Sequence, residues 1–438
     1  MAILTQEQAK AIIDKVLSYA KADETEVTIS GGRTGNIRYA RNTVNTSGET
    51  NELSLSITSV YGKKSGSTSI NELDDESLKR AVSRAEEIAA LAPENPEYMP
   101  MLGPQNYAPS KTFAKATDSI NPDYRAQLAV DSIKPCVDNN LTAAGYLEDF
   151  SGFVATGNSK GLFGYNQSTS VDFTVTVRSA DGTGSGYAGR DFNDAALLNA
   201  GQVTNLAAQK AMASVNAQAI EPGKYTVILE PMAANDLLRL LASGMDARSA
   251  DEGRSFLSKK GGGTKLGEKL FDERVTIYSD PAHPDIPGAP WSGEGFPLEK
   301  TTWVENGIVK NMFYSRYWAQ KQGVQVVPRP QGFIFAGGDQ SLADMIRNTE
   351  RGILVTRFWY IRAVDPQTLL YTGLTRDGTF YIENGQIKFP VKNFRFNESP
   401  IIMLNNIEAM GKPERTGGNM VPPMKIRDFT FTSLSDAV

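Results

Sequence analysis

Apolar and polar residues alternate strictly over residues 52–58, and this alternation constrains the fold more than any other feature of the sequence. Leu53, Leu55 and Ile57 alternate with glutamate, serine and threonine, which leaves one face of the segment apolar and the other polar. Residues 171–178 repeat the pattern. Such two-faced strands are typical of antiparallel sheets, because parallel sheets are usually covered on both faces. We therefore predict an α+β protein and not a doubly wound parallel sheet.

The first 95 residues are predicted to form an α+β unit in which helices cover one face of an antiparallel sheet. A capping box at Thr5 and Gln8 begins the first helix, and apolar residues at helical spacing predict a second helix over 75–91. The predicted strands occupy 26–30, 36–41 and 51–61, and the glycine-bounded segment 62–66 turns the chain back.

A proline-rich connector separates this unit from a middle α/β unit. Five prolines fall within 93–109, a density that is typical of extended chain. The middle unit, 110–215, has predicted helices at 122–136 and 193–214 and predicted strands at 141–149, 152–156, 161–166 and 171–178. A strand-rich C-terminal unit, 222–438, begins with a strand at 225–230, and Asn-Gly pairs at 306–307 and 384–385 predict hairpins within it.

The sequence contains one histidine, His283, and one cysteine, Cys136, among 438 residues. A single cysteine excludes an intramolecular disulfide and is typical of a reducing cytoplasm. A catalytic zinc needs about three protein ligands, mostly histidine, cysteine or carboxylate, so the composition argues against one. The net charge of −5 argues against direct nucleic-acid binding. No signal peptide or membrane-spanning apolar run is visible, so we expect a cytoplasmic protein without a membrane segment.

Three glycine-rich strings match functional motifs but have the wrong surroundings. Residues 157–161 match the nucleophile elbow, yet strand-like segments flank both sides, so a hairpin turn is predicted. Residues 184–189 match the dinucleotide fingerprint without a helix directly after it, which favours a glycine-rich turn or a substrate-facing loop. Residues 261–267 lack the lysine of a P-loop. The basic cluster 258–265, which overlaps this string, is predicted to be a surface loop. We also predict that His283, which has prolines on both sides, lies in a surface loop.

Residues 234–248 predict a short amphipathic helix. Asn235 or Asp236 can cap its start, Gly244 can end it, and Arg239 is the polar residue of its central turn. The apolar residues at helical spacing are Leu237, Leu240, Leu241 and Met245.

Six segments in a defined order resemble the TldD/PmbA family, whose members were first named modulators of DNA gyrase and are metalloprotease subunits. The resemblance covers nearly the whole chain. The segments that carry it are 52–67, 157–162, 178–192, 223–238, 291–310 and 394–411.

In active members of this family, the helix that follows the 225–230 strand resembles HExxxH, with two histidines that bind zinc and a glutamate that acts as general base. Aligned with this motif, Arg239 and Gly244 stand at the histidine positions and Leu240 at the glutamate position. Active members also use a cysteine near the C-terminus, and this chain has none from residue 394 onward. The resemblance therefore implies a degenerate metallopeptidase domain with no catalytic residue, no metal and no cofactor, in which Leu240 fills buried volume.

This departure resembles the PmbA (TldE) branch, whose subunits pair with a metal-bearing TldD subunit to cleave unfolded peptides. The resemblance implies a TldD-like partner or a homodimer, and an extended peptide as ligand. The candidate substrate-binding residues are Gly186, Tyr187, Gly293, Glu294 and Gly295. Two alternatives stay open: a stand-alone homodimeric peptide-binding protein, and a hydrolase whose site contains no metal. The acidic composition disfavours direct modulation of gyrase.

Overall fold

The N-terminal half of the chain forms one antiparallel sheet with helices packed against it. The computed structural model describes residues 3–435. In chain order, the elements of this half are α1 (Gln6–Tyr19), β1 (Glu24–Ala40), β2 (Thr43–Tyr61), β3 (Lys64–Ile70), α2 (Asp75–Leu91), α3 (Lys115–Asp118), α4 (Pro122–Asp138), β4 (Leu141–Asn158), β5 (Phe163–Ser179), β6 (Ser185–Phe192) and α5 (Ala200–Ala213). The strand order is β3-β2-β1-β4-β5-β6, and every neighbouring pair is antiparallel.

The alternation of the sequence is confirmed in this sheet. Leu55 and Ile57 are fully buried against α1 and α2, while the residues between them face outward. The helix predicted at 75–91 is confirmed as α2, and the capping box of Thr5 and Gln8 begins α1. The segment 93–109 contains no helix or strand, as its prolines predict.

Several predicted strands are wrong in their division, because glycines interrupt the pattern without interrupting the ladder. The strands predicted at 26–30 and 36–41 are one strand, β1, and those at 141–149 and 152–156 are one strand, β4. Gly32 lies opposite Gly152, and a Cβ added at Gly32 would stand 2.7 Å from a backbone oxygen of β4. The backbone hydrogen bonds between β1 and β4 thus continue through the glycines, although the glycines interrupt the apolar–polar alternation of the sequence. As a consequence, the first and middle units share a single sheet, although each has its own buried cluster.

The helix predicted over 193–214 is too long at its start. Residues Ala195–Leu197 form a short 3₁₀ turn, and α5 begins only at Ala200. The side chain of Asn199 accepts a hydrogen bond from the backbone N–H of Gln202 and so caps α5.

The C-terminal unit is strand-rich, as predicted. Its elements are β7 (Lys224–Leu229), α6 (Pro231–Ser243), α7 (Ala247–Asp251), β8 (Ile277–Ser279), β9 (Thr301–Glu305), β10 (Ile308–Val309), α8 (Arg316–Gln322), β11 (Ile334–Phe335), α9 (Leu342–Arg347), β12 (Arg351–Asp365), β13 (Leu370–Glu383), β14 (Gln386–Pro390), β15 (Phe394–Glu398), α10 (Pro400–Asn405), β16 (Ile407–Met410), β17 (Glu414–Thr416), β18 (Asn419–Val421) and β19 (Met424–Leu434).

These strands form two further sheets around the largest buried cluster. One sheet has the order β10-β9-β8-β11-β18-β17 and the other β12-β7-β19-β15-β13-β14, with β16 paired to β19. Both Asn-Gly hairpins are confirmed: Asn306 and Gly307 have φ of 50° and 78°, and Asn384 and Gly385 have φ of 49° and 74°. Positive φ at both central residues is what a type I′ turn requires.

Between residues 3 and 435, no helix combines the length and the apolar character that crossing a bilayer would require.

Candidate functional site

Helix α6 brings one of the three degenerate motif positions, Arg239, to a cleft between the two halves of the chain. The helix begins at Pro231 with Glu230 as its N-cap, so the prediction that Asn235 or Asp236 caps it is wrong. Proline at the first helical position explains the earlier start, because its fixed φ suits that position and it lacks an N–H. The predicted end at Gly244 is confirmed.

The prediction that Leu240 lies on the buried face of this helix is also wrong. Leu237, Leu238 and Leu241 are fully buried, whereas Leu240 is only half-buried and Arg239 is exposed. The helix packs against β12 on one side and β18 on the other, so its buried stripe is wide and includes Leu238. Leu240 therefore does not occupy a closed core position.

The cleft has a volume of about 500 Å³ and lies between the edge of the first sheet, α6 and β12. Arg239 and Tyr187 both line it. The remaining lining residues are Asp172, Thr174, Gly189, Arg190, Asp191, Met232, Asn235, Asp236, Arg357, Phe358, Trp359, Tyr360, Ile361, Arg362, Thr416 and Gly417.

Two of the four arginines in this lining are paired with carboxylates. The Nε of Arg357 donates to Asp377 at 2.8 Å, and the Oγ of Ser185 donates to the same carboxylate at 2.6 Å. The guanidinium of Arg357 also stacks on Tyr187, 3.7 Å from the ring centroid. Arg190 lies 3.4 Å from Glu414. Arg357 thus joins β12 to the first sheet, and it shares the carboxylate of Asp377 with Arg376, whose Nε lies 3.7 Å away.

The other two arginines have no such partner. Within the described part of the chain, Arg239 forms no hydrogen bond and no ion pair within 4 Å, although the carboxylate of Asp236 acts on it electrostatically. Arg362 stacks on Tyr360, 4.4 Å from the ring centroid, and has no carboxylate partner among residues 3–435. Both cations are therefore available to a ligand in the cleft.

The carboxyl groups of the cleft lie in three different environments. Asp191 accepts hydrogen bonds from Arg415 at 2.8 Å and from two backbone N–H groups, those of Gly417 and Gly418. Asp236 accepts from the N–H of Phe358, and burial raises the pKa of its carboxyl to about 6.

Asp172 is the carboxyl of the cleft with the strongest repulsion from its neighbours. It lies directly between Glu148 and Asp191 in the sheet register. Desolvation, together with the charges of Asp191 and Glu148, raises the pKa of Asp172 to about 6. Like charges opposite one another in a sheet are unfavourable, so these three carboxylates in register destabilise the fold when all of them are ionised.

A β-bulge in β12 brings two aromatic side chains, Trp359 and Tyr360, to the edge of the cleft, which we call the rim. Trp359 pairs with Leu374 and Arg362 with Thr372, so two residues of β12 oppose one residue of β13. Tyr360, inside the bulge, has φ of 54°, a conformation that is rare for an aromatic residue. Trp359 and Tyr360 are 46% and 59% exposed, and both line the cleft. Bulges commonly redirect side chains in this way next to functional sites.

The five candidate substrate-binding residues do not lie together. Tyr187 lines the cleft, and Gly186 precedes it on β6. Gly293, Glu294 and Gly295 form a turn in which the carbonyl of Gly295 accepts a hydrogen bond from Tyr107 at 2.7 Å, and none of the three lines the cleft.

The other motif-like strings have structural roles. The prediction of a turn or loop at 184–189 is wrong, because these residues lie largely in strand β6. Their glycines allow α5 to pack closely on β6, because a Cβ at Gly186 would stand 2.0 Å from the carbonyl oxygen of Ala207. The hairpin predicted at 157–161 is confirmed, since Asn158 accepts from the N–H groups of Lys160 and Leu162. His283 lies in a loop, where its Nδ1 accepts from the N–H of Asp285.

The sequence pattern did not predict the residues of the β12 bulge, nor the pairing of Arg357 with Asp377. Trp359, Tyr360 and Arg362 come from the stretch RFWYIR, in which aromatic residues stand next to one another instead of alternating. This break in the alternation was the available signal. Asp377, the partner of Arg357, carried none, because the pairing joins separate strands.

The donor set at α6 does not fit the zinc that the family resemblance implies. The guanidinium of arginine at 239 has no acceptor lone pair to offer a metal, and leucine at 240 and glycine at 244 have no ligating side-chain atom. Among residues 3–435, no three His, Cys, Asp or Glu side chains are grouped so that they could hold a metal ion. Cys136 lies on the buried face of α4, and its burial raises the pKa of its thiol to about 11. No catalytic step can therefore be assigned to a metal at these positions.

Comparison with known families and structures gives matches along most of the chain. Models of the three PmbA/TldA metallopeptidase domains match residues 25–89 (domain 1), 113–215 (central domain) and 222–433 (C-terminal domain). A metalloprotease of Methanothermobacter thermautotrophicus is 25% identical over 48% of this chain and 47% of its own length, so the chain matches about half of that relative. Metalloprotease PmbA of Escherichia coli O157:H7 is 23% identical over 97% of this chain and 98% of its own.

Two solved structures share the fold. A protein of Thermotoga maritima named as a modulator of a DNA gyrase superposes with a TM-score of 0.88 at 18% identity, and covers 97% of this chain and 100% of that one. TldE of Thermococcus kodakarensis superposes with a TM-score of 0.85 at 19% identity, and covers 97% and 99%.

Proposed function

Because the chain belongs to the PmbA/TldD metallopeptidase family, we propose that it is a non-catalytic, TldE-like subunit of a peptidase complex that degrades or processes unfolded peptides. The proposal rests on which side chains α6 has at the three motif positions. This helix faces the cleft with Arg239, and it supplies neither a metal ligand nor a general base at the three motif positions.

In such a complex, this chain would enclose the peptide while a metal-bearing TldD-like subunit cleaves it. Helix α6 is firmly held, since Leu237, Leu238 and Leu241 are fully buried between two sheets. A rigid wall of this kind restricts the orientation of an extended chain without taking part in the chemistry. Zinc-dependent cleavage would depend on the partner, because the partner provides the metal that activates water.

The proposal is tested with the purified chain alone and in mixture with a TldD-like subunit from the same genome. We expect no stoichiometric zinc in this chain by elemental analysis, and no cleavage of an unstructured peptide by it. The mixture should form a complex by light scattering and should cleave the peptide in a chelator-sensitive reaction. About one tightly held zinc per chain, or no complex with the partner, would contradict the proposal.

The same experiment separates the alternatives. A stand-alone homodimer that binds peptide but ignores the TldD-like subunit would identify a peptide-binding protein, a function that the unpaired cations of the cleft also support. Chelator-resistant cleavage by the chain alone would identify a metal-free hydrolase. The cytoplasmic location and the lack of nucleic-acid binding stay predictions.

A further inference from the structure

The charges of the cleft leave two cations without a partner in the described structure. Arg357 is occupied by Asp377, and Arg190 lies beside Glu414. Arg239 and Arg362 have no carboxylate within ion-pair distance among residues 3–435. Asp191, one of three carboxyl groups in the lining, already receives Arg415 and two backbone N–H groups. The other two, Asp172 and Asp236, have no guanidinium within ion-pair distance among residues 3–435. A guanidinium group that faces a cleft without a partner is suited to bidentate binding of a carboxylate.

An apolar surface lies directly beside these cations. Trp359 contacts the guanidinium groups of Arg357 and Arg376, which lie 5.3 and 4.9 Å from its ring centroid, yet 46% of it is exposed. Tyr360 is 59% exposed and held in a left-handed backbone conformation. Backbone strain of this kind persists where the surrounding structure imposes it, often at ligand sites. Two partly exposed aromatic side chains, each in contact with a guanidinium group, are therefore available to a ligand at this edge of the cleft.

We propose that this cleft binds a peptide through a carboxylate, with Arg239 as the anion anchor, Arg362 as a second cation, and Trp359 and Tyr360 as the surface for the adjoining side chain. The volume of about 500 Å³ lies within the usual range of ligand clefts. The peptide as ligand rests on the proposed function, and the carboxylate as the recognised group is what this inference adds. The carboxylate is either the C-terminus of the peptide or an acidic side chain, and the experiment distinguishes these two sources.

The exposed tryptophan provides the readout. The chain has four tryptophans, and the other three, Trp291, Trp303 and Trp318, are at most 9% exposed. Quenching of fluorescence by acrylamide therefore reports mainly on Trp359. A ligand over the rim should protect this side chain from the quencher.

Three glycine–serine heptapeptides ending in phenylalanine serve as probes, titrated into the intact chain. The first has a free C-terminal carboxylate, the second is its amide, and the third is the amide with one internal glutamate. We expect the free acid to bind and to protect Trp359 from the quencher. The plain amide should bind up to about tenfold more weakly, because it cannot form the charge-assisted contact. Tight binding of the third peptide would assign the site to acidic side chains, and weak binding would assign it to the C-terminus.

Variants of Arg239 test the anchor directly. This side chain is exposed, so its replacement should leave the fold intact. Arg239→Gln should abolish the preference for the carboxylate, and Arg239→Lys should retain part of it, since lysine keeps the charge without the planar fork. Arg84→Gln, on the exposed face of α2, is the matched control and should bind like the wild type. Equal affinity for all three peptides, binding of none of them, or an unchanged preference in Arg239→Gln would overturn the inference. A chain that joins a TldD-like subunit without this preference overturns the inference alone, whereas the preference without assembly contradicts the proposed function alone.

Discussion

Asp236 is a half-buried residue of α6, and it lines the cleft. Burial raises its pKa to about 6 from an ordinary value of 3.8, and the hydrogen bond from Phe358 and the charges of Arg239 and Arg357 offset this only in part. Between about pH 4 and pH 6 the folded chain therefore binds more protons at this group than the unfolded chain. Stability must then fall as the pH rises through that window.

We predict that Asp236→Asn removes this pH dependence at one residue. Asparagine keeps an oxygen for the N–H of Phe358 but cannot ionise, so the variant should be more stable than the wild type above pH 7 by up to about 2–3 kcal/mol. Near pH 4 the two should be nearly equal. Urea unfolding at both values checks this, with Asp14→Asn on the exposed surface of α1 as control. A variant that loses stability at both values would contradict the prediction.

At the scale of the element, strand β6 and helix α5 touch through glycines instead of side chains. A Cβ at Gly186 would stand 2.0 Å from the carbonyl oxygen of Ala207 and 2.5 Å from the backbone nitrogen of Ala211. Backbone atoms of a helix cannot yield as a flexible side chain does. The glycines of the dinucleotide-like string are thus explained by packing, and Gly186 needs no contact with substrate to account for it.

Gly186→Ala should therefore destabilise the chain by about 1–3 kcal/mol or more, as overpacking of a well-filled core does. Gly223→Ala is the matched control, because no atom lies within 4 Å of its added Cβ, and its effect should be small. Thermal unfolding followed by circular dichroism measures both. If Gly186→Ala were as stable as Gly223→Ala, the close approach of α5 to β6 would be wrong.

At the scale of the whole molecule, the first sheet and the C-terminal unit are joined by charged contacts around the cleft. Asp191 of β6 accepts from Arg415 of β17 and from the N–H groups of Gly417 and Gly418. Both charged side chains of this pair are at most 15% exposed. A second pair between the same two strands, Arg190 with Glu414, is longer and more exposed.

We predict that these two pairs differ in their effect on stability. Asp191→Ala leaves two N–H groups without an acceptor and removes the carboxylate from a largely buried arginine, which keeps only the neutral acceptors of Asn193 and Asp285. The free energy of unfolding should therefore fall by about 1.5–3 kcal/mol. Glu414→Ala should cost less than about 1 kcal/mol, because exposed ion pairs contribute little. Chemical denaturation of both variants tests the difference. Equal losses would show that the Asp191 contact does not hold the two units together.

Local pattern determined most of the secondary structure of this chain. The alternation around Leu55, the apolar spacing of α2 and the two Asn-Gly turns each depend on residues close in sequence, so the elements follow from side-chain periodicity and backbone preference. The absence of ligands and base at 239, 240 and 244 could also be read directly, once the family resemblance aligned them. The continuity of β1 through Gly31 and Gly32 could not, because glycines leave no periodic trace.

The site itself was decided by tertiary structure. Arg239 and Tyr187 were named from the sequence, but their common cleft exists only because β6, α6 and the β12 bulge meet across 170 positions of chain between Tyr187 and Arg357. Which arginines are free depends on partners such as Asp377 and Asp191, and no local pattern specifies those pairs. Sequence periodicity encodes which face of an element is buried, whereas the charge left over in a cleft is a property of groups that only the folded chain brings together.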